Sequence, residues 1–132
     1  MDTYRIVLSD DDEDDCYFLT TIFKDLYGDR VEISCSKNLQ ECQRLLAESE
    51  QPHLVVLDYF LPPANALDLL GWMSTQPHLQ SVPTVLWSSL ITAEELSASF
   101  QAGMVDFIPK QSDYKAMKEV IRSLMDKWVV AV

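Results

Sequence analysis

The stretch Leu54-Val55-Val56-Leu57-Asp58 decides how this chain folds. Four apolar residues run into one carboxylate, and prolines stand on both sides, at Pro52 and at Pro62-Pro63. A short apolar run between such boundaries is typical of a strand buried on both faces of a parallel sheet. Ligands bind at the carboxyl ends of strands in open α/β sheets, so Asp58 is a candidate for chemistry. Asp is also common in turns, and this stretch alone leaves a capping role equally open.

Four further apolar runs complete a repeating pattern. The predicted strands cover residues 4–8, 31–35, 54–58, 83–87 and 105–108, and apolar side chains at helical spacing predict a helix after each. This alternation indicates a parallel sheet with right-handed crossovers. The chain has three glycines and neither a G-x-G-x-x-G nor a Walker A motif. We therefore expect a flavodoxin-like α/β fold, a three-layer (βα)5 sandwich with strand order 2-1-3-4-5.

Length and composition narrow the function. The 132 residues predict one domain over 1–132 with no output domain, and the net charge of −11 argues against nucleic acid or an anionic membrane as a partner. No apolar run reaches the roughly 18 residues of a membrane span, and no cleavable signal opens the chain. We expect a cytoplasmic protein. Its three cysteines, Cys16, Cys35 and Cys42, are odd in number and form no C-x-x-C motif, so we expect them to be reduced.

The predicted strand order brings polar residues together. Strands 1 and 3 are neighbours, so Asp10 and Asp11 should lie beside Asp58, with Ser88 and Lys110 on the same sheet edge. Two carboxylates about 4 Å apart repel by roughly 4 kcal/mol at an effective dielectric constant near 20. Such a cluster holds protons or recruits a cation. Oxygen ligands without His or Cys favour Mg²⁺, with Mn²⁺ as the alternative.

This arrangement suits phosphoryl transfer. Beside a metal, Asp58 can act as a nucleophile toward phosphorus while Lys110 neutralises phosphoryl oxygens. The Ser88 hydroxyl can donate to one of those oxygens. Each residue has a plainer explanation: the acids of 12–15 as a solvated helix start, Ser88 as a loop cap, and Lys110 as one of ten basic residues. Their positions at the ends of successive strands favour chemistry.

Four stretches together resemble the response regulator receiver domain. They are residues 6–15 (IVLSDDDEDD), 54–62 (LVVLDYFLP), 82–89 (VPTVLWSS) and 103–110 (GMVDFIPK). The resemblance covers nearly the whole chain, and the first stretch is most similar to stand-alone regulators of the phytochrome-associated type. It implies a Mg²⁺-dependent switch in a two-component phosphorelay, not an enzyme but a phosphoacceptor that assists its own phosphorylation and dephosphorylation. A histidine kinase or histidine phosphotransfer protein would supply the phosphoryl group, and an unidentified effector protein would receive the signal.

The resemblance also implies a role for each residue around the phosphoacceptor. Asp58 accepts the phosphoryl group and is itself a metal ligand. Asp11 is a direct metal ligand, Asp10 acts mostly through water, and the backbone carbonyl of Phe60 completes the protein ligands.

Further residues would bind the phosphoryl group and transmit the signal. Ser88 and Lys110 bind the phosphoryl oxygens, and Phe107 is the switch aromatic that moves inward with the serine hydroxyl. In the family, helix 1 docks the phosphodonor, and output leaves through helix 4, strand 5 and helix 5. Trp128 and the apolar tail 129–132 adjoin helix 5. They either complete the core or form a homodimer contact on that surface.

Three departures from the family pattern affect the expected behaviour. Lys110 is followed by Gln111 in place of proline, so a cis bond is far less expected there. Ala66 stands where glycine is common and can constrain the loop backbone. Phe60 and Leu90, two residues beyond the phosphoacceptor and the strand 4 serine, are both apolar. We expect slow self-dephosphorylation, because apolar side chains there shield water instead of orienting it.

Three alternatives remain to be weighed. The first is a receiver-fold interaction module that is never phosphorylated, and the intact set of acids, serine and lysine argues against it. The second is a small Mg²⁺-dependent hydrolase of the haloacid dehalogenase type. Its D-x-D start fits Asp10 and Asp12, but no carboxylate pair follows Lys110 and no cap domain is present. The third, a calcium EF-hand, fails at position 6 (Asp15) and position 12 (Thr21).

Overall fold

A computed structural model describes residues 3–48 and 50–130 as five strands that alternate with five α-helices. The strands are β1 (Tyr4–Ser9), β2 (Val31–Ser36), β3 (Leu54–Leu57), β4 (Thr84–Ser88) and β5 (Asp106–Pro109). The helices are α1 (Glu13–Tyr27), α2 (Leu39–Glu48), α3 (Ala66–Ser74), α4 (Ala93–Gln101) and α5 (Tyr114–Met125). Single 3-10 turns cover Gly28–Arg30 and Pro77–Leu79, and a short antiparallel ribbon pairs Phe60–Leu61 with Ala64–Asn65.

The five strands form one parallel sheet in the order β2-β1-β3-β4-β5. This confirms the flavodoxin-like α/β fold. The order reverses between β1 and β3, whose register pairs Ser9 with Leu57 at the carboxyl edge. All four residues of β3 are buried, as its uninterrupted apolar sequence predicts for a central parallel strand.

The core consists of two apolar clusters, one on each face of the sheet. Successive side chains of a strand point to opposite faces, so Ile6 and Leu8 of β1 join one cluster and Val7 joins the other. The first cluster packs against α1 and α5, and the second against α2 and α3. Helices on both faces leave the carboxyl edge of the sheet as the open end where side chains of several strands can meet.

Polar caps fix where the helices begin. The sequence Thr92-Ala93-Glu94-Glu95 predicts a capping box at the start of α4, and it is present. Thr92 Oγ1 accepts a hydrogen bond from the Glu95 N–H at 3.0 Å, and Glu95 Oε1 accepts one from the Thr92 N–H at 3.0 Å. The sequence allows α1 to open at Asp12 or Glu13, and Asp12 is the cap: it accepts from the N–H groups of Asp14 (2.9 Å) and Asp15 (3.4 Å). The start of α1 is therefore fixed directly after the acidic end of β1.

The prediction of three reduced cysteines is wrong for two of them. Cys16 of α1 and Cys35 of β2 form a disulfide, with their Cα atoms 6.6 Å apart. The pairing arises because α1 packs over the β1–β2 side of the sheet, which brings together residues that lie 19 positions apart in sequence. Cys42 is a free thiol, and burial raises its pKa.

Two of the noted departures fit the backbone without distortion. The peptide bond between Lys110 and Gln111 is trans, and the cis bond among the described residues joins Pro62 to Pro63. Ala66 is the first residue of α3, and its N–H donates to the carbonyl of Tyr59 at 2.8 Å. No described residue other than glycine has a positive φ angle, so alanine is accommodated there without left-handed backbone.

Apolar spacing in the sequence predicts a last helix over about residues 113–128, and the observed α5 is shorter. Helix α5 ends at Met125 and a π-helical turn covers Asp126–Val130. Trp128 packs against the first core cluster, and its Nε1–H donates to Asp106 Oδ2 at 3.0 Å. Residues 131 and 132 of the predicted apolar tail lie outside the described residues. Across 3–48 and 50–130, no helix combines the length and the apolar character that crossing a membrane requires.

The disulfide predicts a measurable gain in stability. Closing a loop between residues 19 apart in sequence should raise the free energy of unfolding by about 3 kcal/mol, because it restricts the unfolded chain. Cys35 is exposed, so Cys35→Ser should remove little beyond the bond. In urea denaturation without reductant, we expect Cys35→Ser to be less stable than wild type by about this amount.

The same measurement in dithiothreitol is the control. There the wild type should lose its advantage and unfold at the same urea concentration as Cys35→Ser. Equal stability of the two proteins without reductant would contradict the prediction.

Candidate functional site

Backbone hydrogen bonds extend the sheet just beyond its strands and align three predicted site residues. Asp10 follows β1, and its N–H donates to the carbonyl of the last residue of β2 at 3.0 Å. Asp58 follows β3 and donates its N–H to the Ser9 carbonyl at 2.9 Å, and Lys110 follows β5 and donates to the Ser88 carbonyl at 3.0 Å. The parallel register therefore holds Asp10, Asp58 and Lys110 on one edge, as the strand order predicts.

The Lys110 ammonium is the centre of this edge. Its Nζ lies 2.7 Å from Asp10 Oδ2, 2.8 Å from Asp15 Oδ2 and 3.0 Å from Asp58 Oδ2. An ammonium has three N–H donors, so these three carboxylates occupy all of them. The Trp87 ring lies on another side, with its centroid 4.8 Å from Nζ. The lysine side chain is only 15% exposed, so these contacts are weakly screened by solvent.

Three carboxylates are close enough to share one cation. Asp10, Asp11 and Asp58 each offer an oxygen, and these oxygens lie within 4.8 Å of one another. Asp10 and Asp58 are buried and Asp11 is exposed, which leaves one side open to water. A set of carboxylate oxygens with access for water suits a hard divalent cation. The Phe60 N–H lies 3.5 Å from Asp58 Oδ1, while a metal contact of its carbonyl stays a prediction.

The electrostatics of the edge follow from burial and from Lys110. Burial raises the pKa of Asp10 to about 6, although hydrogen bonds from Lys110 and from the Asp12 N–H act in the opposite direction. Burial alone would lower the pKa of Lys110, but its hydrogen bonds to the carboxylates outweigh this effect and raise the pKa. Lys110 therefore stays charged, while protons compete with a metal for Asp10 only as the pH falls toward about 6.

Ser88 and Phe107 lie on the β4–β5 side of the same edge. Ser88 is buried at the end of β4, and its Oγ donates to the Leu90 carbonyl at 3.3 Å. Phe107 of β5 is partly buried and packs against the second core cluster. The structure thus places both side chains on the strands named in the sequence analysis. Their roles in phosphoryl binding and switching stay predictions.

Two contacts of Lys110 were not foreseen. Asp15 was grouped with the solvated acids at the start of α1, but its side chain is 33% exposed and pairs with Lys110. A readable signal existed: Asp15 precedes Phe18 by three residues and Ile22 by seven, which places it beside the buried stripe of α1. The second contact is with Trp87, which the sequence indicated only as a strand residue. Its position over a cation depends on the packing of neighbouring strands.

Comparison with known proteins identifies the family. The family model of the response regulator receiver domain matches residues 6–122. The chain belongs to the response regulator receiver family. Receiver domains act in two-component signal transduction, interact with histidine kinases and effectors, and are generally not enzymes of the usual kind.

Individual relatives are distant in sequence. The methanogenesis regulatory protein FilR1 of Methanothrix harundinacea is 24% identical over 127 residues, which cover 95% of this receiver chain and 28% of FilR1. The chain thus spans little more than a quarter of that relative. The response regulator Rcp1 of Synechocystis is 21% identical over 84 residues, or 64% of this chain and 57% of Rcp1.

Solved structures agree on the fold. The phosphorylated cyanobacterial phytochrome response regulator RcpA superposes with a TM-score of 0.87 at 18% identity, covering 98% of this chain and 96% of that one. The Mn²⁺-bound form of Rcp1 gives a TM-score of 0.83 at 19% identity with the same coverage. At these identities the likeness establishes the receiver fold, and the chemistry must be argued from the residues.

The raised pKa of Asp10 predicts how stability depends on pH. The folded protein holds this proton more tightly than the unfolded chain, with a pKa of about 6 against 3.8. The stabilisation is complete below the lower value and is lost as the pH rises through the higher one. In the absence of divalent metal, Asp10→Asn should remove this loss. The variant should be more stable than wild type at neutral pH, and the difference should shrink as the pH falls.

Urea denaturation in EDTA, at several pH values across this window, checks the prediction. Asp14→Asn changes the net charge equally at an exposed position and serves as the control. A stability difference between Asp10→Asn and wild type that stays constant with pH would contradict the assignment.

Proposed function

We propose that this receiver domain is a Mg²⁺-dependent phosphoacceptor switch, and that Asp58 receives a phosphoryl group from a histidine kinase or histidine phosphotransfer protein. The observation that carries this proposal is the position of the Asp58 carboxylate. It is buried at a sheet edge, 3.0 Å from a lysine ammonium and beside the carboxylates of Asp10 and Asp11. Family membership supports signalling in general, and this geometry supports the specific acceptor.

The transfer step follows from these contacts. A carboxylate oxygen of Asp58 attacks phosphorus, and the new O–P bond forms as the bond from phosphorus to the donor histidine nitrogen breaks. The nitrogen keeps the electron pair of the broken bond. Lys110 provides a fixed positive charge beside the phosphoryl oxygens, in place before the reaction begins. Asp10, Asp11 and Asp58 would hold a Mg²⁺ ion, which would supply further neutralisation of the phosphoryl charge.

The switch would use the weak hydrogen bond of Ser88. Its hydroxyl donates to the Leu90 carbonyl at 3.3 Å, a long distance for an O–H donor. A phosphoryl oxygen on Asp58 would offer a charged acceptor, which forms a stronger hydrogen bond than a neutral carbonyl. Movement of the hydroxyl would leave space toward which the partly buried Phe107 ring can turn.

Output would then pass to an effector protein through α4, β5 and α5. Phe100 of α4 and Val130 after α5 are exposed apolar residues on or beside these elements, and a homodimer through them is a second use of the same surface. Cytoplasmic location and the lack of a nucleic-acid or membrane partner stay predictions from composition.

Phosphorylation by a small-molecule donor tests the proposal directly. Incubation with acetyl phosphate and Mg²⁺ should add one phosphate to the intact chain, detected by mass spectrometry. Asp58→Asn should abolish the adduct, because an amide lacks the nucleophilic carboxylate oxygen. EDTA should also prevent formation of the adduct, because it removes Mg²⁺. Asp14→Asn is the matched control and should still gain the phosphate. An unmodified wild type would favour an interaction module, and steady hydrolysis of generic phosphate esters would favour a phosphohydrolase.

The exposed apolar side chains near Asp58 predict a long-lived phosphoryl group. Phe60 is 52% exposed and Leu90 is 78% exposed, and neither can orient a water for attack on phosphorus. Phe60→Asn and Leu90→Glu should each shorten the lifetime by about tenfold or more, since a positioned polar group contributes on this scale or above it.

The lifetime is measured as loss of the phosphate adduct after the donor is removed. Phe100→Asn replaces an exposed apolar residue of α4 and is the control, with an unchanged lifetime expected. Lifetimes equal to wild type in both Phe60→Asn and Leu90→Glu would show that these side chains do not set the rate.

A further inference from the structure

The third carboxylate on Lys110 belongs to none of the roles described so far. Asp15 is the third residue of α1, and its Oδ2 lies 2.8 Å from Lys110 Nζ. It is not part of the group of Asp10, Asp11 and Asp58 whose oxygens can share a cation. The neighbouring Asp14 is exposed, and among the described residues it makes no ion pair. In the first turn of α1, Glu13 pairs with the exposed Lys37, and Asp15 is the acid that pairs with Lys110.

We propose that Asp15 is a positioning residue that holds one N–H donor of Lys110 away from Asp58 and so limits how fast Asp58 accepts a phosphoryl group. The inference rests on the proposed function. With three donors and three carboxylates, Lys110 can reach a phosphoryl oxygen only when one of these contacts is given up. Asp10 and Asp58 are also needed by a metal ion, whereas Asp15 is free of that competition and stays with the lysine.

Asp15 is held firmly enough for this role. Its own N–H lies 3.4 Å from the capping oxygen of Asp12, and the next residue, Cys16, is tied to Cys35 of β2 by the disulfide. The first turn of α1 is thus fixed at both its cap and its covalent link. A carboxylate on such an element can restrain a flexible lysine, because the backbone that carries the short Asp15 side chain is fixed and does not move with the lysine.

The surroundings of the ion pair add an electrostatic argument. Asp15 and Lys110 both line an open cleft of about 570 Å³, which Phe18 and Trp87 also border. An anionic phosphodonor in this cleft would be repelled by the Asp15 carboxylate, which lines the cleft beside Lys110. Asp15 therefore both occupies a donor and repels the incoming group. Loss of its charge should speed phosphorylation, while loss of charge at Asp14 should not.

The test compares second-order rates of phosphorylation by acetyl phosphate in Mg²⁺, followed by intact mass. Asp15→Asn should react about three- to tenfold faster than wild type, the size expected for one partly screened charge at this distance. Asp14→Asn removes the same formal charge from the same helical turn and should react at the wild-type rate. Asp15→Glu keeps a carboxylate within reach of Lys110 and should restore a rate within about twofold of wild type.

The outcomes separate this inference from the proposed function. If wild type and Asp14→Asn gain phosphate but Asp15→Asn reacts no faster, or reacts more slowly, the positioning role is overturned and the phosphoacceptor stands. If Asp14→Asn accelerates as much as Asp15→Asn, net charge explains the effect and the inference fails. If wild type gains no phosphate, the proposed function itself fails. Thermal melts of each variant show whether a change in rate reflects unfolding. Recovery of the wild-type rate in Asp15→Glu shows that the effect depends on the carboxylate.

Discussion

The contact between one ammonium and three carboxylates is the constraint on which the site depends. Asp10 and Asp58 are buried, and without a cation their mutual repulsion would force one of them to bind a proton or the edge to open. Lys110 reaches both, and the hydrogen bonds raise its pKa, so it remains charged over the whole range in which the acids ionise. One positive charge still faces three negative ones at Asp10, Asp15 and Asp58. The residual negative charge is what makes the cluster attractive to a divalent cation and leaves the lysine fully engaged.

The sheet topology alone brings these side chains together. In a parallel sheet every strand ends at the same edge, so acids and a lysine distant in sequence meet without a dedicated loop. The central strand β3 beneath is fully apolar and buried, and the core around it supplies the stability that the edge itself does not. The raised pKa of Asp10 shows that its ionised form is disfavoured in the fold. A buried acid that lowers the stability of the fold is expected at functional sites, where residues are placed for chemistry and not for stability.

The fold and most of the site could be predicted because they depend on local patterns. The five strands follow from apolar runs, the α4 capping box from Thr92 and Glu95, and the meeting of Asp10 with Asp58 from strand order. The Cys16–Cys35 bond and the Asp15–Lys110 contact could not be predicted with the same certainty. Each joins residues from separate elements, and each depends on the rotation of α1 about its own axis when it packs on the sheet. Apolar spacing gives the buried stripe of a helix but not which residue at the margin of that stripe meets a particular neighbour.

The two sides of the site differ in how tightly they are held, and this difference would give the proposed switch a direction. On the β1–α1 side, the acidic segment is fixed by the Asp12 cap, by the disulfide at Cys16 and by the ion pair of Asp15. On the β4–β5 side, Ser88 has one long hydrogen bond and Phe107 is only partly buried. A packed and cross-linked element resists displacement by a new charge more than a weakly bonded one. If Asp58 is phosphorylated as proposed, structural change should therefore proceed from Asp58 toward β4 and β5, while α1 keeps its shape.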